Sequence, residues 1–200
     1  MNIKELEKEI RFKVGSEYVN TEILPKENSD FVKKAYDVFK QKNAELFGKI
    51  EELGLKVIFT SDDAYKTAKE MRERVLKENV IYIYTEGSEH EYLTPEENWR
   101  GRAVHDVFAH LVCGCSFTAQ GEYNAYLEQR KHYPAWTWGV LFAEIPAQTS
   151  AFYYKGEFTY KQRAFEAPQH WQDAFEVLKT DYRENSILGY DFETEKLYFK

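Results

Sequence analysis

Apolar positions along the chain follow two different periods. Phe31, Ala35, Val38, Phe39, Leu46, Phe47 and Ile50 recur at intervals of three and four behind a Ser29-Asp30 cap, and Gly54 follows; this predicts a helix from about Phe31 to Leu53. Leu55–Thr60 (LKVIFT) and Val80–Thr85 (VIYIYT) are short, apolar and β-branched, which predicts two strands. Between them Ser61-Asp62 caps a predicted helix reaching about Lys77. Helix, strand, helix and strand in that order describe a small α/β unit.

From Thr94 onward the pattern turns helical. Thr94-Pro95-Glu96-Glu97 combines a cap, a first-turn proline and early acids, so a helix is expected through His105 and His110 to about Cys113, stopping at Gly114. Further helices are expected from Glu122 to about Lys131, around Trp136–Ile145 with an end near Pro146, and over Gln169–Tyr182. Phe152–Phe158 reads as a loop or a strand. The expected fold is a single, mostly helical α+β domain over residues 1–200. It divides into an irregular N-terminal extension (1–28), the helix–strand–helix–strand unit (29–93), a helical region with the candidate site (94–182) and a C-terminal extension (183–200).

Composition narrows the classes of function. The chain has 200 residues, a net charge of −7 and 16% aromatic residues. Its basic residues are scattered, which argues against nucleic acid or an anionic membrane surface as partner. The start MNIKELEKEIRFKVG is no signal peptide, and no apolar run approaches the roughly 20 residues that span a bilayer. Cys113 and Cys115, the only cysteines, are separated by one glycine, and a bond between them would be strained. A reducing compartment, the cytoplasm, is the expectation. There is no glycine-rich phosphate loop, and Ser88, Ser116 and Ser150 lack a nucleophile-elbow context.

Candidate chemistry concentrates between Arg102 and Glu144. Three of the five histidines (His105, His110, His132) lie there, with acids at Asp106, Glu122 and Glu144. His105 and His110 sit in an apolar run, and burying imidazoles and acids without partners is costly. A metal ion would satisfy both kinds of group. The two histidines are five apart, about 140° of rotation and about 7.5 Å of rise on a straight helix, so they serve one ion only if the helix distorts or the side chains reach inward. Two histidines and one carboxylate leave coordination positions open, as in non-haem iron sites. Glu144, in the apolar stretch Val140–Ala143, is the favoured carboxylate, and Glu122 competes. The bland account is a hydrogen-bonded core network involving Asp106, Glu122 and backbone carbonyls.

Weaker signals surround this cluster. Cys113, three residues after His110, allows a His/Cys site, although two small buried thiols are the simpler account. The His105-Asp106 pair occurs in metal-dependent phosphohydrolases, but only His90 lies upstream. His132 and His170 are expected at the surface or an interface. Trp136, Trp138, Phe152, Tyr153 and Tyr154 are expected in the core, and Lys33, Lys34, Arg130 and Lys131 on solvated faces.

Two resemblances add to this reading. The succession AYKTAKEMRERV, EHEYLTPEENWRGRAVHDVFAH, SFTAQGEYNAYLEQRKHYP and LFAEIPAQTSAF resembles an uncharacterised family encoded by bacteriophages and their relatives. Here Glu91 replaces that family's proline, Ala109 a glycine, and Ala147-Gln148 a Gly-Gln pair. The resemblance implies a phage-related origin and no particular activity. More remotely, Tyr92–Glu96, His105–His110, Phe117 and Glu144 resemble the pterin-dependent aromatic amino acid hydroxylases over about fifty-five residues. That likeness implies His105, His110 and Glu144 as ligands of Fe2+. A proline after the second histidine is missing, and the interval to Glu144 is shorter.

The expected function is therefore a non-haem iron oxygenase acting on a small molecule. Asp106 or Glu122 would orient a ligand histidine, and Arg102 would pair with an anionic substrate or an acid of the site. A Zn2+-dependent hydrolase with Glu122 as general base is the alternative. The third is a non-enzymatic phage accessory or inhibitor that binds a host protein. Its expected place is the host cytoplasm or the virion.

Overall fold

The computed structural model describes residues 2–157, 162–180 and 185–200. It is a mostly helical α+β fold with two small sheets. The first helix, α1 (Ile3–Asn20), begins at a capping box in which Asn2 and Glu5 each accept the other's backbone N–H. α2 (Asp30–Leu53) is capped by Ser29 and ended by Gly54 at φ +79°, as its pattern predicts. β1 (Lys56–Thr60) and β2 (Val80–Tyr84) pair in parallel, with Val57 opposite Ile81 and Phe59 opposite Ile83; α3 (Ala68–Glu78) is the crossover that parallel pairing requires. Then follow α4 (Pro95–His105), α5 (Ala119–Gln129), α6 (Trp138–Phe142), α7 (Gln148–Lys155) and α8 (Gln169–Glu176). β3 (Leu188–Asp191) and β4 (Lys196–Phe199) form an antiparallel hairpin.

Several expectations need correction. The N-terminal stretch expected to be irregular holds a helix over Ile3–Asn20, and only 21–28 are turn and bend. Ile10, Val14 and Tyr18, four apart, bury one face of α1, and Gly15 lets it lie against α7: a β-carbon there would stand 2.3 Å from the Ser150 carbonyl oxygen. The dense charges of this segment mask a stripe only one residue wide. The helix expected from Ser61-Asp62 starts at Ala68, where Thr67 caps it. The C-terminal residues are no loose extension, because Leu188 and Leu197 are buried and Ile187 N–H donates to the Leu111 carbonyl. Helix does not end at Pro146. It widens into a π-helical turn over Ala143–Ala147 and continues as α7, because a proline lacks only one N–H and the wide turn absorbs the missing bond. Phe152–Lys155 is accordingly helix, and Phe158 lies outside the described residues. α8 stops at Glu176; residues 181 and 182 of the longer expected helix lie outside the described residues.

The core is built largely from rings. Tyr18, Tyr36, Tyr126, Phe142, Phe165, Trp171 and Phe175 are fully buried. Phe142 meets Phe175 edge to face at 5.5 Å, and Phe165 meets Trp171 in the same way at 5.9 Å. Trp136 and Tyr153, expected inside, are instead 45% and 40% exposed. Arg163 ties the C-terminal part to the N-terminal helix, with a bidentate pair to Glu27 at 2.7 and 2.6 Å and bonds to the carbonyls of Tyr18, Thr21 and Glu22. Among the described residues no helix is long and apolar enough to cross a membrane.

Candidate metal centre

α4 opens on the Thr94–Glu97 capping box with Pro95 in its first turn, as its sequence signals. After His105 the helix widens into a π-helical segment, Asp106–Val112. Hydrogen bonds from i to i+5 set residues five apart above one another. This removes the 140° separation of a straight helix: the rings of His105 and His110 meet edge to face at 5.0 Å. Gly114 at φ +72° turns the chain out of the segment. Arg72, from α3, donates to the carbonyls of His110, Gly114 and Cys115 at 3.3–3.5 Å and holds that turn.

α5 supplies the acid. Thr118 caps it by accepting the Gly121 N–H, and Glu122 N–H donates to the Thr118 carbonyl at 2.8 Å. Glu122 is 5% exposed and inserts between the histidines. Its Oε2 lies 3.2 Å from His105 Nε2 and its Oε1 3.7 Å from His110 Nε2. The three ligand atoms all fall within 4.8 Å of one another. Donors about 2.1 Å from a common ion stand roughly 3–3.5 Å apart, so the group fits one cation after small adjustment.

The far sides of both rings are held as metal-ligating imidazoles need. His105 Nδ1 lies 3.0 Å from Gln129 Oε1, and His110 Nδ1 lies 3.0 Å from the Cys115 carbonyl oxygen. Both partners accept, so each ring can keep a proton on Nδ1 and would offer a bare Nε2 to an ion beside Glu122. Without a cation the charges rearrange. Burial opposes protonation of His105, but the hydrogen bond and charge of Glu122 prevail and push its pKa up to about 9. Burial takes His110 down to about 4 despite the same acid. Glu122 is held below the usual range: burial works against its charge, and the two histidines outweigh it. Burial raises Asp106 to about 7.

The other residues expected at the site, Arg102, Asp106 and Glu144, border the same space. A cavity of about 260 Å3 is lined by His105, His110, Glu122, Arg102, Asp106 and Glu144, with Phe39, Phe117, Tyr133 and Leu141 among its apolar walls. A neighbouring groove of about 990 Å3 shares Tyr84, Asp106, Phe117, Glu122 and Thr149 with it. Glu144, the favoured carboxylate, is not among the clustered ligand atoms. Its Oε1 accepts from the Tyr36 hydroxyl and lies 3.8 Å from His90 Nε2. Glu122, the competing acid, stands between the histidines instead. Among the described residues no carboxylate bonds the Arg102 guanidinium, although the charges of Asp106 and Glu144 act on it. It donates to the carbonyls of Tyr84, Glu86 and Gly87 at 2.7–2.9 Å and secures the chain leaving β2. Neither thiol joins the metal-competent group found among the described residues. His132 packs among Phe108, Tyr190 and Phe192, and exposed His170 pairs with Glu17 at 3.0 Å.

Sequence reasoning missed Gln129, Arg72 and the Tyr36–His90 pair. Gln129 carried a signal, being seven residues after Glu122 and hence on the same face of α5. Arg72 and Tyr36 carried none, because tertiary packing alone brings α3 and α2 to the site. Comparison with protein-family models, with curated proteins and with solved structures finds no match.

Proposed function

We propose that this chain is a metal-dependent enzyme acting on a small molecule, with Fe2+ held by His105, His110 and Glu122. One observation carries the reading: two Nε2 atoms and a carboxylate converge on one point beside a cavity, with both Nδ1 atoms already held by acceptors. An ion held there would keep positions open for dioxygen and substrate, as non-haem iron centres do. The resemblance to the pterin-dependent hydroxylases supports iron through His105 and His110, with Glu122 taking the place it assigns to Glu144. Gln129 and the Cys115 carbonyl fix the ligand rings. Phe117 and Leu141 restrict water, and Asp106, on the wall shared by cavity and groove, offers a carboxyl that holds or moves a substrate proton. The resemblance to phage-encoded proteins supports the host cytoplasm as the place of action.

A Zn2+-dependent hydrolase is the second reading. Glu122, the general base first expected for it, is here among the ligand atoms, and Asp106, which lines the cavity and accepts no hydrogen bond from a described residue, would take that role.

Metal analysis of the anaerobically purified chain, after addition of Fe2+ or Zn2+, tests both. A stoichiometric ion is expected in the wild type and in Glu144→Ala, and none in His105→Ala, His110→Ala or Glu122→Ala, each checked for folding by circular dichroism. Oxygen consumption by the iron form supports the first reading, and zinc retained through purification the second. Equal metal content in all variants, or none in the wild type, removes both and leaves a non-enzymatic accessory protein.

A further inference from the structure

We infer that the cavity beside the metal centre binds a small organic cation, an amidine, guanidine or amine with an apolar body, and that Glu144 is its anchor. This rests on the preceding reading only for the bound molecule's being the substrate. Glu144 reaches the cavity from a π-helical turn that faces α2. Its Oε1 is turned to Tyr36 and His90, neither of which lines the cavity. Among the described residues none donates to its Oε2, and Glu144 is one of the residues lining the cavity. The Tyr36 hydroxyl thus fixes the carboxylate in place and leaves one oxygen to accept from a guest.

The rest of the wall agrees with a cationic guest. Among the described residues Arg102 and the two ligand histidines are the only basic side chains lining the cavity; the donors of Arg102 are engaged by three carbonyls, and its charge is opposed by Asp106 and Glu144. Asp106 adds a second carboxyl outside the ligand group. Phe39, Phe117 and Tyr133 line it with aromatic rings, whose π-systems attract a cation. One further group narrows the guest. Gln148, four residues after Glu144 and on the same wall, has a buried Nε2 with no hydrogen-bond partner. A buried donor of this kind calls for an acceptor, so the guest carries an oxygen or ring nitrogen near its cationic head. At about 260 Å3 the space suits a molecule smaller than most drugs.

The test uses benzamidine, whose planar fork matches a carboxylate, and benzamide, its neutral isostere, titrated calorimetrically into the full chain with and without added Zn2+. Benzamidine is expected to bind at least about tenfold tighter than benzamide, since a charge-assisted pair replaces a neutral one. Glu144→Gln, which keeps an acceptor for Tyr36, is expected to erase that preference while leaving metal content unchanged; Tyr36→Phe, which keeps the carboxylate, is expected to retain it. Benzamide binding as tightly as benzamidine to the wild type overturns the inference, whatever the variants do. So does an undiminished preference in folded Glu144→Gln. Because metal content is measured separately, a chain that takes up no ion yet prefers benzamidine sinks the metal reading and leaves this one standing.

Discussion

Gly121 lies so close to Ser116 that a β-carbon on it would stand 2.0 Å from the Ser116 carbonyl oxygen. Backbone cannot yield there as a flexible side chain would. This approach seats the first turn of α5 against the loop after the π-helical segment, and Glu122 is the next residue. Gly121→Ala should therefore push the carboxylate out of line with His105 and His110. We expect a destabilisation of about 1–3 kcal/mol from overpacking. Metal affinity should fall by at least about tenfold, since a small misplacement of a ligand removes most of its bond. Thermal melting and competitive metal titration check this; unchanged values for both would show that the contact does not set the position of the acid.

His132 should make the fold acid-sensitive. Burial among Phe108, Tyr190 and Phe192, with Lys131 and Lys42 nearby, lowers its pKa from 6.5 to about 4, and Glu128 only partly opposes this. Below about 6.5 the unfolded chain takes up a proton that the folded chain refuses. Stability present above that pH is therefore lost as the pH falls toward about 4. In urea denaturation, the drop in midpoint between pH 7 and pH 5 should be smaller for His132→Phe than for the wild type. Identical drops would mean that His132 titrates alike in both states.

Arg163 should not be replaceable by lysine. Its fork holds Glu27 bidentately and reaches three carbonyls, one in the last turn of α1 and two just after it. An ammonium group cannot span that set, and charge-assisted bonds to carboxylates exceed neutral ones. Arg163→Lys is expected to lower stability by about 2 kcal/mol, read from chemical denaturation. A loss too small to resolve would place Arg163 with ordinary surface ion pairs.

The fold was legible where one element carries its own signals. Ser29 and Gly54 bracket α2, and Thr94–Glu97 open α4, because caps act within a few residues. Both strands of the parallel pair were equally plain. The N-terminal helix was not, since its buried stripe of Ile10, Val14 and Tyr18 gains meaning only once α7 lies against it. Among site residues, His105 and His110 stood out by type, and all six candidates do border one cavity. Choosing between Glu122 and Glu144 was beyond the chain alone. That choice depends on two π-helical turns, and a single extra residue in a turn leaves no periodic trace in seven- or five-residue segments.

The π-helical segment that aligns His105 with His110 has an energetic corollary. A wide turn is intrinsically less favourable than the ordinary helix that the same residues can form. An ion gripping both imidazoles would reward only the wide form, which would link occupancy to helical register. Relaxation of that one turn would swing His110 about 140° from its partner and dismantle the site without unfolding the protein.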